Sequence, residues 1–229
     1  MERNVLPELL DELPPQDQSA LRSRRDLRRL NAWMRHPQIM ANVLQENLPG
    51  AAQIVELGAG DGHFLLSVAE RLQGKFSVTT ATLVDRLDVL DPQTRKQFNR
   101  LGWDVRAEIA EASEWLRKTS PQPAQAIISN LFFHQFQTEQ LAGLLRLAAN
   151  SSGLVVALEP RRSWLPRLCG RLLWVIGCGP VTRHDAGISI RAGFAGGELS
   201  ALWPDRKNWE LVERPTGLFS HLFIARRKD

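Results

Sequence analysis

The sequence predicts an α/β fold on a mostly parallel sheet, and three observations lead to this class. Residues 51–158 alternate between short apolar runs typical of strands and amphipathic runs with helical spacing, which implies parallel strands joined by crossover helices. Two further strand-like runs, residues 209–214 and 220–225, are joined across Pro215-Thr216-Gly217, as in an antiparallel hairpin. The 229 residues with 43% hydrophobic content suffice for one sizeable core.

The N-terminal region has a different sequence pattern, with prolines followed by helical periodicity. Three prolines, Pro7, Pro14 and Pro15, predict that the first fifteen residues form a loosely ordered lead-in. Apolar residues then recur near the helical period over residues 17–45, with a break at Pro37, so two short helices are expected. We therefore predict a helical extension or cap over residues 1–50 and a main domain over residues 51–229.

The main domain is predicted to contain at least five parallel strands. The expected strands are residues 53–57, 77–84, 103–109, 126–129 and 154–158, and the expected helices are residues 63–72, 93–101, 113–118 and 138–149. The hairpin near the end of the sequence adds two more strands.

Composition narrows the classes of function. Cys169 and Cys178 are too few for a disulfide framework, and the first residues lack a secretory signal pattern, so a cytoplasmic protein is expected. No apolar run approaches the roughly 20 residues of a membrane span. The net charge of +4 is concentrated in residues 22–29, 161–171 and 226–228. These clusters are either solvated helix faces or a surface for an acidic partner, and no nucleic-acid motif accompanies them.

A glycine-rich loop, Gly58-Ala59-Gly60-Asp61-Gly62, follows the first predicted strand and precedes a helix. Such a loop lets a ligand approach the backbone, and the helix N-terminus offers free N–H donors. His63 stands where the dinucleotide fingerprint GxGxxG has its third glycine, which argues against a nicotinamide or flavin cofactor. Glu56, just before the loop, suits a cationic ligand better than a pyrophosphate.

Two acidic residues follow the next strands. Asp85 ends the second strand, at a separation from the loop that lets its carboxylate accept both hydroxyls of a ribose. Glu111 follows the third strand and either faces an adenine edge or is an ordinary acid at a helix start.

Residues 55–63, Asp85 and the run Ser129-Asn-Leu-Phe-Phe-His134 together resemble the class I S-adenosylmethionine-dependent methyltransferase superfamily. The resemblance extends from about residue 51 to residue 229. It implies a Rossmann-like, seven-stranded, mostly parallel sheet with an antiparallel last strand, and S-adenosylmethionine at the carboxyl ends of the strands. The residues expected to hold the cofactor are Glu56, Gly58, Ala59, Gly60, Gly62, Asp85, Glu111 and Asn130.

Residues 181–194 are similar to a segment of bacterial small-molecule methyltransferases associated with polyketide or quinone-like products. The resemblance thus implies O-methylation of a small, apolar, hydroxylated aromatic or polyketide-derived molecule. The alternatives are C-methylation of a quinone-like ring, or a methyltransferase or binding protein that acts on a macromolecular partner. No clustered carboxylates indicate a metal site.

Methyl transfer to a hydroxyl requires in-line alignment and a base. The expected base is His134, after the fourth strand, and His184, on a predicted loop, is the competing candidate. The residues expected to contact the acceptor are Trp33, His36, Phe133, Asp185 and Arg191.

Residues 161–178 are amphipathic at helical spacing. Leu165, Leu168, Leu172 and Val175 share one face, whereas Arg167, Arg171 and Trp174 share another. This segment is interpreted as a lid over an apolar acceptor pocket, as a peripheral membrane contact, or as a helix packed on the sheet with a basic outer side.

Overall fold

The computed structural model describes residues 2–48, 50–76, 78–119, 124–164 and 173–228. Within these ranges seven strands form one sheet. The strands are β1 Ala51–Leu57, β2 Val78–Asp85, β3 Trp103–Ile109, β4 Ala124–Asn130, β5 Ser152–Pro160, β6 Trp209–Thr216 and β7 Ser220–Arg227. Their spatial order is β3-β2-β1-β4-β5-β7-β6.

The strand directions confirm the predicted α/β class. β1 pairs in parallel with β2 and β4, and β3 and β5 extend these pairs in parallel. β7 lies antiparallel between β5 and β6. The strand order reverses between β1 and β4, and open α/β sheets bind ligands in the crevice outside such a switch point.

The helices cover both faces of the sheet. They are α1 Leu9–Glu12, α2 Gln18–Trp33, α3 His36–Asn47, α4 His63–Leu72, α5 Pro92–Arg100, α6 Ala112–Thr119, α7 Thr138–Ser151, α8 Pro180–Ala192 and α9 Glu198–Leu202. Because successive strand residues point to opposite faces, Ile54 of β1 packs with Leu44 and Leu65, whereas Val55 packs with Leu116 and Leu145. The two resulting cores fix the strand ends that carry the site.

The two helices expected over residues 17–45 are present as α2 and α3. They separate at Arg35, which adopts a left-handed conformation with φ 60°. Pro37 does not end a helix but lies in the first turn of α3, where its missing N–H removes no helical hydrogen bond. The division into a cap and a main domain remains a prediction.

Two sequence expectations are wrong. The first fifteen residues are not loose, because they contain α1 and because the Asn4 N–H donates to the Arg191 carbonyl at 3.2 Å. The loop expected around His184 and Asp185 is helix α8. β-branched residues and Gly187 lower the helix propensity of this segment, whereas tertiary packing, including hydrogen bonds to the N-terminal segment, holds it helical.

The amphipathic segment 161–178 is only partly described. Residues 165–172, which include Leu165, Leu168 and Leu172, lie outside the described ranges, so its lid and membrane interpretations remain predictions. Trp164, Trp174 and Val175, which flank those residues, are exposed. Among the described residues no helix is both long and apolar enough to cross a membrane.

Candidate functional site

A cavity of about 890 Å³ lies at the carboxyl ends of β1, β2 and β4. This volume is near the upper end for ligand pockets in proteins. The glycine loop and the ends of β2 and β4 line one side. Helices α2, α3 and α8 and the N-terminal segment line the other side, so residues distant in sequence share one chamber.

The glycine loop has the conformation that its composition predicts. Gly58, Gly60 and Gly62 have φ angles of 70°, 53° and 74°, which side-chain-bearing residues rarely adopt. A Cβ atom on Gly58 would lie 2.3 Å from Cδ2 of Phe132. The loop therefore needs glycine at position 58 both because of its positive φ angle and because Phe132 leaves no room for a side chain.

Asp85 is fixed against this loop. Its Oδ2 accepts the Gly60 N–H at 2.8 Å and its Oδ1 accepts the Leu87 N–H at 2.9 Å. Each carboxylate oxygen keeps a second lone-pair direction, and the side chain lines the cavity. Asp85 can therefore accept hydrogen bonds from two adjacent hydroxyls.

Glu56 is a buried carboxyl with an unmet hydrogen-bonding capacity. It is 2% exposed, and among the described residues its Oε2 has no hydrogen-bond partner. Burial, and then the charges of Asp61 and Asp85, raise the pKa of Glu56 well above its ordinary value. Because Glu56 also lines the cavity, a cationic ligand group fits this position.

The loop is tied to the N-terminal helices. Arg28 of α2 donates two hydrogen bonds to Oδ2 of Asp61, at 3.0 and 2.8 Å. Neither residue was among those expected at the site. Their pairing brings α2 over the loop, so helix and loop form adjoining walls of the cavity.

The turn after β4 centres on the buried carboxylate of Glu159. Its Oε1 accepts the N–H groups of Phe132 at 3.1 Å and Phe133 at 2.8 Å. Its Oε2 lies 2.8 Å from Nδ1 of His134. Glu159 thereby sets both the backbone of the turn and the orientation of the histidine ring.

His134 lies between two carboxylates. Its Nε2 is 3.1 Å from Oε1 of Glu8, on the side opposite Glu159. Burial by itself would lower the pKa of His134, but the hydrogen bonds and charges of Glu159 and Glu8 outweigh it and raise the pKa to about 9. At neutral pH the ring is therefore a cation that donates from both nitrogens.

His36 is buried but neutral. Its Nδ1 lies 2.7 Å from Oδ1 of Asn130, and its Nε2 contacts the Ser220 hydroxyl. Burial lowers the pKa of His36 to about 4, against the opposing effects of Asn130 and Glu159. The neutral ring thus orients the Asn130 amide, whose Nδ2 donates to Asn31 at 3.2 Å.

No family model matches the chain, and no curated protein does. Several solved structures do match. An O-methyltransferase family protein from Burkholderia thailandensis has a TM-score of 0.58 at 19% identity, over 87% of this chain and 58% of that one. The plantazolicin methyltransferase BamL, in complex with a triazolic desmethylPZN analog and S-adenosylhomocysteine (SAH), has a TM-score of 0.64 at 10% identity, over 96% of this chain and 93% of that one.

A third match is magnesium protoporphyrin IX methyltransferase from Synechocystis PCC 6803 with bound S-adenosylmethionine, with a TM-score of 0.56 at 10% identity, over 90% of this chain and 84% of that one. The chain has the class I methyltransferase fold. It spans 58% and 56% of the lengths of the first two matching structures. The glycine loop, Asp85 and Asn130 lie at the switch-point crevice of this methyltransferase fold.

The residues expected to hold the cofactor meet at this crevice of the methyltransferase fold. Glu56, Gly58, Ala59, Gly60, Asp85, Glu111 and Asn130 all line the cavity. Gly62 instead ends the loop as the N-cap of α4, where it packs near Leu83 and Leu90. The role of the expected residues in cofactor binding remains a prediction.

The residues expected to contact the acceptor are less uniformly placed. Trp33 and His36 line the cavity, and Trp33 packs against Phe219 with ring centroids 5.1 Å apart. Phe133 is instead a core residue that packs with Leu141 and Phe194. Its neighbour Phe132 lines the cavity in its place.

Helix α8 places the other three expected residues in new surroundings. Asp185 lines the cavity, but its carboxylate caps α1 by accepting the N–H groups of Leu9 at 2.9 Å and Leu10 at 3.0 Å. His184 is half-exposed, and its Nδ1 lies 3.0 Å from Oδ1 of Asp185. Arg191 is exposed on the outer face of the helix. This placement does not support His184 as the base or Arg191 as an acceptor contact.

Proposed function

We propose that the protein transfers a methyl group from S-adenosylmethionine to a small, apolar, oxygen-bearing acceptor. The observation that carries this proposal is one cavity that joins the glycine loop, Asp85 and Glu56, whose Oε2 has no hydrogen-bond partner among the described residues, to an apolar wall. When bound, S-adenosylmethionine supplies an electrophilic methyl group on a sulfonium. The fold and the cofactors bound in similar structures support the same assignment.

On the cofactor side, each polar group suits one part of S-adenosylmethionine. Asp85 would accept the ribose hydroxyls, and the exposed Glu111 would face the adenine edge. Glu56, with Asp61 nearby, would face the cationic end, where its charge is stabilised. Asn130, held by His36 and Asn31, would lie between the cofactor and the acceptor.

The acceptor side of the cavity is predominantly apolar. It includes Leu27, Leu30, Trp33, Met34, Phe132, Ile190, Leu218 and Phe219. A concave apolar chamber favours a small molecule over a macromolecular surface. Two matching proteins are named for plantazolicin and magnesium protoporphyrin IX, which is consistent with this preference.

The protonation state of His134 affects which acceptors can react. A ring that donates from both nitrogens has no lone pair with which to remove a proton. His134 is therefore better suited to stabilise negative charge than to act as the general base expected from the sequence. This favours O-methylation of an acceptor oxygen that is already ionised in solution, such as an acidic phenol or a carboxylate, because its attack needs no base.

The cofactor is tested by thermal unfolding with S-adenosylmethionine, SAH and NAD. At about 100 times its dissociation constant a ligand adds about 2.7 kcal/mol of stability, or roughly 5–10 °C for a chain of this size. We expect this shift with both sulfur compounds and none with NAD. Equal stabilisation by NAD, or no shift with either sulfur compound, would refute the proposal.

Replacing Asp85 by asparagine should weaken SAH binding about 10- to 100-fold. The amide loses the charged acceptor for ribose and turns an NH₂ group toward a backbone N–H of the loop, and hydrogen bonds to charged groups contribute about 1.5–3 kcal/mol. Isothermal titration calorimetry measures the change. Asp104→Asn, the same substitution at an exposed position of β3, is the control and should bind SAH normally.

Binding of the sulfur cofactors should release a proton from Glu56. Because burial raises the pKa of this carboxyl in the free protein and a cationic ligand favours its ionised form, affinity should rise with pH, by up to about tenfold per pH unit below the free-protein pKa. Calorimetry in phosphate and Tris buffers reports the released proton. Glu56→Gln should abolish the release, and an identical release from that variant would count against Glu56.

A further inference from the structure

The carboxylate of Glu8 is bound by three donors from other parts of the chain. Its Oε1 accepts a hydrogen bond from the Ser189 hydroxyl and lies 3.1 Å from Nε2 of His134. Its Oε2 accepts from Nε2 of Gln135 at 3.4 Å. The Glu8 side chain is only 12% exposed. Three convergent donors, one of them a cation, are what recognition of a carboxylate requires.

These donors are held by groups other than Glu8. Glu159 fixes His134 through Nδ1 and through its backbone N–H, at 2.8 and 3.3 Å. Ser189 belongs to α8, and its single hydroxyl hydrogen is shared between Glu8 and the Asp185 carbonyl, which lies 2.8 Å away. Gln135 lies in a short 3₁₀ helix, Phe133–Gln135, directly after the Glu159-bound turn. The arrangement therefore does not depend on Glu8 for its shape.

The charge of His134 favours an anion at this place. Nδ1 of His134 faces Glu159 and its Nε2 faces Glu8, so Glu8 supplies the second negative charge beside this ring. Loss of Glu8 without replacement would leave the Nε2 side of the buried ring without its anionic partner, which is costly in a low-dielectric interior.

The Glu8 position is part of the wall of the cavity described above. Glu8, His134, Gln135 and Ser189 all line it, beside the apolar Leu10 and Ile190. A ligand inside the chamber can therefore reach the three donors. Burial by itself would raise the pKa of Glu8, but the hydrogen bonds from His134, Ser189 and Gln135 and the charge of His134 together outweigh it and lower the pKa, so the occupant at neutral pH is a carboxylate.

We propose that His134, Gln135 and Ser189 form a binding site for an acidic group of the methyl acceptor, and that Glu8 occupies this site in the absence of acceptor. The inference rests on the proposed function and narrows it to acceptors that carry a carboxylate or a similar oxyanion on an apolar frame. Exchange of Glu8 for such a group replaces one carboxylate by another and conserves the charge beside His134. Neutral acceptors leave the Glu8 contacts in place.

The test compares benzoate with its neutral counterpart benzamide, by calorimetry on SAH-saturated protein. In Glu8→Ala the site is open, and we expect benzoate to bind at least about tenfold more tightly than benzamide, and about tenfold more tightly than to the unaltered chain. Adding Ser189→Ala to this variant should weaken benzoate but not benzamide. Glu12→Gln, an exposed carboxyl of α1, should behave as the unaltered chain.

Should Glu8→Ala fail to fold, Glu8→Gln serves the same purpose, since an amide NH₂ opposes the three donors and benzoate should displace it more readily than it displaces Glu8. Equal binding of benzoate and benzamide, or benzoate binding that Ser189→Ala leaves unchanged, would mean that Glu8 only anchors the N-terminal segment. SAH binding, measured in the same samples, distinguishes a failure of this inference from a failure of the proposed function. Retained SAH binding without benzoate selectivity overturns this inference alone, whereas lost SAH binding by the unaltered chain overturns the proposed function.

Discussion

Glu159→Gln should lower the free energy of unfolding by about 3–5 kcal/mol, the usual effect of removing one partner of a buried ion pair. Glu159 accepts two backbone N–H groups on one oxygen and His134 on the other. The amide oxygen of glutamine can accept from the backbone N–H groups or from His134, but its NH₂ group then faces the other donors. Thermal unfolding should therefore occur at least about 6 °C lower, at roughly 2–4 °C per kcal/mol for a chain of this size.

The pH dependence of this effect distinguishes charge from packing. Because the pKa of His134 in the folded protein, about 9, is raised above its ordinary value of 6.5, its stabilisation is complete below pH 6.5 and is lost as the pH rises through 9. The difference between the variant and the unaltered chain should narrow over this window. The control is Glu210→Gln in the exposed pair with Arg226, which should cost less than about 1 kcal/mol. A constant difference across the pH window would contradict the ionic account.

Gly58→Ala should abolish binding of the sulfur cofactors, with affinity reduced at least about 100-fold. Its Cβ would lie 2.3 Å from Phe132 Cδ2, and a left-handed backbone costs alanine about 1–2 kcal/mol. The clash is relieved only if the loop or the Phe132 ring moves, and both line the cavity. Displacement of about 1 Å in such a site suffices to lose most of the directed hydrogen bonds.

Gly102→Ala separates backbone strain from the clash. Gly102 has a φ of 77°, similar to that of Gly58, but no atom lies within 4 Å of the added Cβ. This variant should lose about the same strain energy yet bind SAH as the unaltered chain does. SAH titration of both variants is the measurement, and normal binding by Gly58→Ala would show that the loop tolerates a side chain.

The parts of the fold that could be predicted from sequence depend on local pattern. Strand and helix periodicity located the parallel sheet, and the glycine loop, Glu56 and Asp85 could be recognised because they lie within one strand-loop-helix unit and at the end of the next strand. Neighbouring parallel strands end at one edge of a sheet. Their meeting at the cavity therefore follows from topology without knowledge of side-chain packing.

The acceptor side could not be predicted in the same way. Glu8 lies in a proline-rich stretch, and its partner His134 is 126 residues away, so no spacing in the sequence connects them. Leu131 has a left-handed φ of 56°, which breaks the in-out alternation of the strand, and Phe132 rather than Phe133 therefore faces the cavity. On α8, whether a side chain points toward the cavity depends on how the helix packs. Hydrophobic periodicity does not determine this for a weakly amphipathic segment.

The insertion of β7 between β5 and β6 has a consequence for how the chain folds. The β6–β7 hairpin can pair locally across its short turn, whereas its entry into the sheet beside β5 joins residues as distant in sequence as Pro160 and Ser220. The contact of His36 with Ser220 at the start of β7 closes a separation of 184 residues, and such long loops form slowly. We therefore expect the walls of the cavity formed by α3 and by the β6–β7 turn to meet late in folding. Regain of ligand binding after dilution from denaturant accordingly marks the completion of folding, later than regain of helical signal.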